Sequence, residues 1–345
     1  MHSLNERLQA VRWQEGKLYL LDQRLLPHSY THIVLETVNQ VATAIKDMVV
    51  RGAPAIGITA AYGVVLAARE AYQKSPEQWQ TEIETNMQML AQARPTAVNL
   101  VWALERMRTL FGHIVGDPES ELLAEAKAIH QEDIDANCAM GDFGASLLPE
   151  NCRILTHCNA GALATGGYGT ALGVVRSGFS ANKITQVYAD ETRPWLQGTR
   201  LTAWELLEDN IPVTLVTESA AATLMKEKMV DWVIVGSDRI AANGDVANKI
   251  GTYHLAVLAR YHGVKLMVAA PLSTVDFNMA TGNEIWIEER DAHEILTTNG
   301  QRIAPENAQA WNPVFDVTPA ELVDAIVTEK GIIQQPTTEK LQQWR

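Results

Sequence analysis

Cysteine is scarce in this chain of 345 residues, which has only Cys138, Cys152 and Cys158. Three cysteines cannot staple a chain of this length, and no two of them have C-x-x-C spacing, so a disulfide scaffold and a thiolate metal site are both excluded. A reducing, cytoplasmic setting is expected. Positive charge is also short, with 28 Lys and Arg against 41 Asp and Glu, a net of −13. Broad binding to a nucleic-acid backbone needs a cationic surface and is not expected. A few cations in a cleft still suffice for one phosphate.

Long apolar runs are missing too. The two longest stretches without formal charge are Gly52 to Ala68, broken by Pro54, and Ile154 to Val175, which holds His157, Asn159 and several glycines. Both read as buried elements rather than membrane spans. The first residues, Met1 to Gly16, contain no apolar core of a secretory signal. There is no internal repeat and no low-complexity linker.

What is present falls into two parts, expected as domains at 1–148 and 149–345. Val11 to Leu21 reads as two short strands around Gly16. Thr31 to Val50 reads as a helix, because Val34, Val38, Val41, Ile45 and Met48 fall on one face. Helices are expected over about 54–73, 76–91, 96–112 and 119–147, with Ser75-Pro76 and Asp117-Pro118 as helix starts. After Pro149, apolar runs at Arg153–His157, Ile184–Ala189, Val213–Thr217, Trp232–Gly236 and Lys265–Ala269 alternate with helical segments near 167–179, 198–209, 219–229 and 248–262. Continuous apolar strands separated by helices imply a parallel sheet covered on both faces. Pro319 to Lys330 reads as a closing helix. The fold class is therefore α/β, a mostly helical first domain followed by a Rossmann-like doubly wound sheet.

In such a sheet, ligands bind beyond the carboxyl ends of the strands. The run Ile154 to Cys158 leads into a turn dense in glycine, Gly161 to Gly169, which suits backbone contact with an anion. Its G-x-G-x-x-x-G spacing matches neither a dinucleotide fingerprint nor a Walker loop. Cys158 lies at the end of that strand. If the strand continues, His157 points to the opposite face. Asp238 lies just past another buried strand, Trp232 to Gly236, where a partly desolvated carboxyl suits a general acid. A pairing of Asp238 with Arg239 is the structural alternative. Lys249 is expected at the start of the next helix. Asp190 to Gly198 gathers charges, Trp195 and Gln197 into a candidate specificity loop. Arg51 and Arg94 each precede a helix and form a candidate phosphate clamp over a cleft between the two domains.

Taken together, the motifs resemble those of the methylthioribose-1-phosphate isomerase family. They are Arg51-Gly-Ala-Pro-Ala-Ile-Gly57, Arg94-Pro-Thr-Ala-Val-Asn-Leu100, His157-Cys-Asn-Ala-Gly-Ala-Leu-Ala-Thr165, Asp190-Glu-Thr-Arg-Pro-Trp-Leu-Gln-Gly198, Asp238 through Lys249, Gly282-Asn-Glu-Ile285 and Asn312 through Pro319. Ser237 stands where the family often has Ala, and Trp286 where Pro is usual. The resemblance implies Cys158 as catalytic cysteine and Asp238 as proton donor. It implies Arg51, Gly52, Ala53, Arg94, Gln197, Asn248 and Lys249 as substrate contacts. It also implies a homodimer acting on a sugar phosphate, with no metal and no cofactor. Isomerases of ribose 1,5-bisphosphate or 5-deoxyribose 1-phosphate, and non-catalytic regulatory subunits that sense a sugar phosphate or nucleotide, share the superfamily.

Overall fold

The computed structural model describes residues 4–94, 97–298 and 300–345. The chain divides into two compact units. One comprises the residues up to Cys138 together with Gly161–Gly169; the other comprises Ala139–Ala160 and Thr170–Arg345.

The first unit opens with an antiparallel sheet of β1 (Val11–Gln14), β2 (Lys17–Leu21) and β3 (His32–Leu35). β3 corrects the expected helix from Thr31. The apolar spacing holds only from Val38, because α1 (Val38–Lys46) begins there behind a Thr37–Gln40 capping box. His32 to Leu35 instead pairs with Leu18 to Leu21. The remaining helices are α2 (Ala53–Lys74), α3 (Trp79–Glu82), α4 (Glu84–Ala93), α5 (Val98–Arg108) and α6 (Glu119–Ser146), the last turns of α6 counting with the second unit. Asp117 accepts from the Glu119 amide and starts α6 as expected. α2 is buried nearly all round, Ala55 to Ala68 being fully enclosed. This explains why it carries no charge before Arg69.

The second unit is built on β4 (Cys152–Thr156), α7 (Ala171–Ser180), β5 (Ile184–Glu191), α8 (Ala203–Glu208), β6 (Val213–Thr217), α9 (Ala221–Lys226) and β7 (Trp232–Val235). After these come β8 (Arg239–Ala241), β9 (Val246–Lys249), α10 (Thr252–His262), β10 (Lys265–Ala269), β11 (Val275–Asp276), α11 (His293–Leu296), β12 (Thr297–Thr298), β13 (Gln301–Arg302), β14 (Phe315–Thr318), β15 (Ala325–Thr328), β16 (Gly331–Gln334) and α12 (Thr338–Leu341). Among the described residues, seven strands form one sheet in the order β16-β15-β10-β7-β4-β5-β6. All its pairings are parallel except β15 with β16. The doubly wound reading is thus correct. β4, β7, β10 and β15 are almost wholly buried, as strands sandwiched between helices must be.

The closing helix over 319–330 is not there. Ala325–Thr328 is buried on both faces and extends the sheet beside β10, then turns at Gly331 into β16. Four apolar residues in a row satisfy a doubly covered strand as well as a helix, and here the open sheet edge takes them. A smaller sheet, β11-β8-β9-β14, carries the segment after β7.

Candidate active site

The chain order sets the site. From β4 the chain winds outward through β5 and β6, then returns to the other side of β4 as β7. The switch point therefore lies between β4 and β7, which stay paired up to Thr156 and Ile234, and ligands of such sheets bind beyond the carboxyl ends there. Cys158 follows β4 by two residues and Asp238 follows β7 by three. The two segments touch, because a Cβ on Gly236 would lie 2.8 Å from the Ala160 Cβ. The pair singled out in the sequence thus follows two neighbouring strands at one edge of the sheet.

Cys158 is buried, 7% exposed, and has left-handed backbone with φ 59°. That conformation costs an L residue roughly 1–2 kcal/mol. It also ends the strand alternation, so the expectation that His157 faces away from Cys158 as on a continuing strand does not apply. His157 is buried and bonds Asp190, which is fully enclosed at the end of β5, through Nδ1 at 2.9 and 3.0 Å. Its Nε2 donates to the Ile250 carbonyl at 2.9 Å. Burial alone lowers the His157 pKa, but the charge and hydrogen bonding of Asp190 prevail and raise it to about 9.

Asp238 is half-buried, and its amide donates to the Ala247 carbonyl at 2.9 Å. Arg239 pairs with Asp276 at 3.6 Å. Ser237, the unusual residue before Asp238, donates to backbone carbonyls and holds the turn. Asn248 and Lys249 do not open a helix as expected. They lie in β9, whose Ala247 is paired with Arg239, so β9 brings Asn248 alongside Asp238. α10 starts only at Thr252, after Gly251 in left-handed conformation. Asn248 Nδ2 donates to Thr252 Oγ1, and Lys249 Nζ lies 5.2 Å from the centre of the Phe315 ring.

In the loop after β5, Thr192 Oγ1 donates to Gln197 Oε1 at 3.0 Å. That contact turns the Gln197 amide nitrogen away from Thr192. The charges of the loop are engaged by other groups of the protein. Glu191 accepts from the amides of Thr192 and Thr199, and Arg193 donates to carbonyls of Glu294, Ile295 and Thr297. Gln197 leads into a single π turn, Gly198–Thr202, a form frequent at functional sites.

The other expected contacts belong to the first unit. Gly52 caps α2 with φ 91°, and a Cβ there would lie 2.4 Å from the Ala164 carbonyl oxygen, so the start of α2 abuts the glycine-rich segment. Arg51 immediately precedes this helix start, Ala53 is its first residue, and Pro54 has no amide hydrogen to satisfy. Arg94 caps the end of α4. Pro95 and Thr96 lie outside the described residues. A Cβ on Gly57 would lie 2.7 Å from the Asn99 carbonyl, so α2 and α5 begin within about one helical turn of each other. Arg51, Gly52, Ala53 and the start of α5 after Arg94 thus share one end of the first unit. α6 clips the glycine segment there. Asp133 accepts from the Gly166 amide, Asn137 donates to the Gly167 carbonyl, and His130 Nε2 donates to the Gly166 carbonyl. Burial holds His130 below its usual pKa and raises Tyr62 to about 12. Both are therefore neutral, with Tyr62 donating to His130 Nδ1. Among the described residues, no cluster of His, Cys, Asp and Glu suits a metal ion, and no helix is long and apolar enough to cross a membrane.

The sequence reading did not foresee the pairing of His157 with Asp190, nor that Asn159 and Thr202 bond each other beside Cys158. One signal was available: a histidine closing a buried apolar strand must find a polar partner.

Comparison with known proteins agrees with the fold. The initiation factor 2 subunit family matches residues 49–335. A methylthioribose-1-phosphate isomerase of Methylococcus capsulatus is 58% identical, over 97% of this chain and 95% of its own. The crystal structure of 5-methylthioribose 1-phosphate isomerase from Pyrococcus horikoshii superposes with a TM-score of 0.92 at 44% identity, covering 100% of this chain and 99% of that one. A structure from A. fulgidus titled translation initiation factor eIF-2B, subunit delta, superposes with a TM-score of 0.88 at 42% identity, covering 97% and 99%.

Proposed function

Because the chain belongs to the initiation factor 2 subunit family and to the methylthioribose-1-phosphate isomerases within it, we infer that it converts 5-methylthioribose 1-phosphate to 5-methylthioribulose 1-phosphate with Cys158 and Asp238 as its reacting groups. The reaction is an aldose–ketose isomerisation, an intramolecular oxidoreduction belonging to methionine salvage. The observation that supports the assignment of residues is that Cys158 and Asp238 follow the adjacent strands β4 and β7 at the switch point of the sheet.

The anomeric oxygen of this substrate carries phosphate, so the sugar cannot open to a free aldehyde. Asp238 gives a proton to the ring oxygen as the C1–O bond breaks, leaving an oxocarbenium-like C1. Hydrogen must then pass from C2 to C1. In one route the Cys158 thiolate removes the C2 proton, an enol phosphate forms, and the proton returns to C1 as the C2 hydroxyl becomes a carbonyl. In the other, hydride moves directly from C2 to C1 beside a polarisable Cys158, and the C2 hydroxyl proton is released. Both routes balance without an external oxidant. Gln197, Asn248 and Lys249 offer donors to the sugar. Arg51 and Arg94, with the amides at the start of α2, offer an anion site for the phosphate. A cytoplasmic homodimer completes the proposal, its oligomeric state testable by sedimentation.

Steady-state assays with 5-methylthioribose 1-phosphate, ribose 1,5-bisphosphate and 5-deoxyribose 1-phosphate, with no cofactor added, test the reading. The first is expected to turn over fastest, and Cys158→Ser to be nearly inactive while Cys138→Ser and Cys152→Ser retain most turnover. Absence of turnover with all three would favour a regulatory subunit. Full activity of Cys158→Ser would remove this sheet edge as the reacting centre. In heavy water, a thiolate base exchanging with solvent leaves deuterium at C1 of the ketose, and direct hydride transfer leaves none.

A further inference from the structure

The left-handed backbone of Cys158 is one that an L residue keeps only when its surroundings hold it there. The residues on either side supply that hold, each through a wholly enclosed carboxylate. Before Cys158, the His157 ring donates through Nε2 to the Ile250 carbonyl and meets both oxygens of Asp190 through Nδ1. Rotating the ring would break both contacts. After Cys158, Asn159 Nδ2 donates to Thr202 Oγ1 and to Glu205 Oε2, each at 3.2 Å. The Thr202 hydroxyl donates in turn to the Cys158 carbonyl. Glu205 is 0% exposed, and its other oxygen accepts from Arg176 at 2.9 Å. Arg176 is tied to Asp209 at 2.6 Å.

The direction of every donor in this second arm is fixed. Arg176 has no acceptor, so Glu205 accepts from it and from Asn159. Thr202 accepts from Asn159 and therefore turns its proton to Cys158. A buried network satisfied in this way specifies one arrangement, because any alternative leaves a charge or a carbonyl without a partner. Thr202 also ends the π turn that begins next to Gln197, so one element serves both Cys158 and the loop bearing Gln197.

We propose that Asp190, acting through His157, and Glu205, acting through Asn159 and Thr202, clamp the backbone on both sides of Cys158 and present its thiol in a single orientation. His157, Asn159, Thr202 and Glu205 are positioning residues. The consequence for turnover rests on the reading of Cys158 as a reacting group; the clamp on the thiol does not.

Thr202→Val replaces the hydroxyl with a methyl of similar size, whereas Thr202→Ser keeps the hydroxyl. Turnover is followed together with iodoacetamide labelling of Cys158, using Cys138 in the same molecule as reference. Thr202→Val is expected to lower kcat by at least ~10-fold with KM changed less than about 3-fold, since small misplacement of a reacting group is costly. Its Cys158 is expected to label at least ~3-fold faster, as a buried thiol gains access when its backbone loosens. Thr202→Ser is expected to keep both values near wild type, a rescue that a packing role alone would not give. Should Thr202→Val fail to fold, Asn159→Ser leaves the Arg176, Glu205 and Asp209 pairing intact and carries the same expectation. Wild-type kcat and labelling in Thr202→Val, or a Thr202→Ser as impaired as Thr202→Val, would overturn the clamp. Wild-type activity of Cys158→Ser would overturn the functional reading instead, and the labelling rates would still decide the clamp.

Discussion

Alkaline solution should weaken the second unit through a single buried pair. The His157 imidazolium faces Asp190, with the Ile250 carbonyl on its other nitrogen, Cys158 next in the chain and the Asp316 carboxylate of β14 within electrostatic reach. Its pKa stands at about 9, against an ordinary value of ~6.5 in the unfolded chain. The folded protein therefore binds more protons than the unfolded chain between those two values. The stabilisation is fully present below about pH 6.5 and is lost as pH rises through about 9. A gap of about 2.5 pH units at ~1.36 kcal/mol each amounts to about 3 kcal/mol. Urea denaturation followed by near-ultraviolet circular dichroism at pH 6 and pH 10 measures this against His157→Gln, which keeps a donor near the Ile250 carbonyl but does not titrate. Wild type is expected to lose about 3 kcal/mol more than the variant over that range. Parallel pH dependence in the two proteins, or a wild type that gains stability with pH, would refute an ionised pair.

Three further outcomes are expected. Asp238→Asn should fold with an unchanged melting transition and lose ~10²–10⁴ in kcat, the usual worth of a positioned acid; near-full turnover, or a collapsed transition, would make the residue structural. Arg94→Ala should weaken inorganic phosphate binding about 10-fold or more in calorimetric titration, the scale of one charged hydrogen bond, and unchanged affinity would remove Arg94 from the anion site. Gly52→Ala must place a Cβ 2.4 Å from the Ala164 carbonyl at φ 91°, and the two penalties together should cost ~3 kcal/mol or more in thermal or chemical denaturation. A Gly52→Ala protein as stable as wild type would mean that the start of α2 does not abut the glycine segment.

The fold was legible where one physical demand acted alone. β4, β7 and β10 had to be apolar on both faces, so they stood out as unbroken runs. Trp232–Val235 and Lys265–Ala269 were found nearly to the residue. Short segments that satisfy two demands were misread. His32–Leu35 and Ala325–Thr328 are each four residues long, and their register is chosen by a neighbouring strand rather than by local preference. Asn248 and Lys249 fell to the wrong element for a related reason, since a short hairpin between β7 and α10 leaves little pattern of its own. In the candidate site, Cys158 and Asp238 were visible because they follow recognisable strands. Their support was not, because His157 meets Asp190 across 33 residues and Asn159 meets Glu205 across 46. No local spacing rule reports a pairing at such a distance.

That division follows from how a doubly wound sheet builds the edge beyond its strand ends. Adjacent parallel strands deliver their carboxyl ends side by side, but the loops beyond them carry unpaired carbonyls and amides. Near a switch point these groups are withdrawn from water and must be satisfied internally. Here the demand is met by fully enclosed charge: Asp190 at the end of β5, and Glu205 in the first turn of α8. Each would be costly alone and is acceptable because a buried cation or imidazolium faces it. Apolar residues of similar volume would pack the same space with less electrostatic cost. They could not hold a carbonyl in one direction, and the Cys158 carbonyl is what Thr202 holds. The buried charges are thus best understood as the means of fixing a backbone conformation that packing alone does not select.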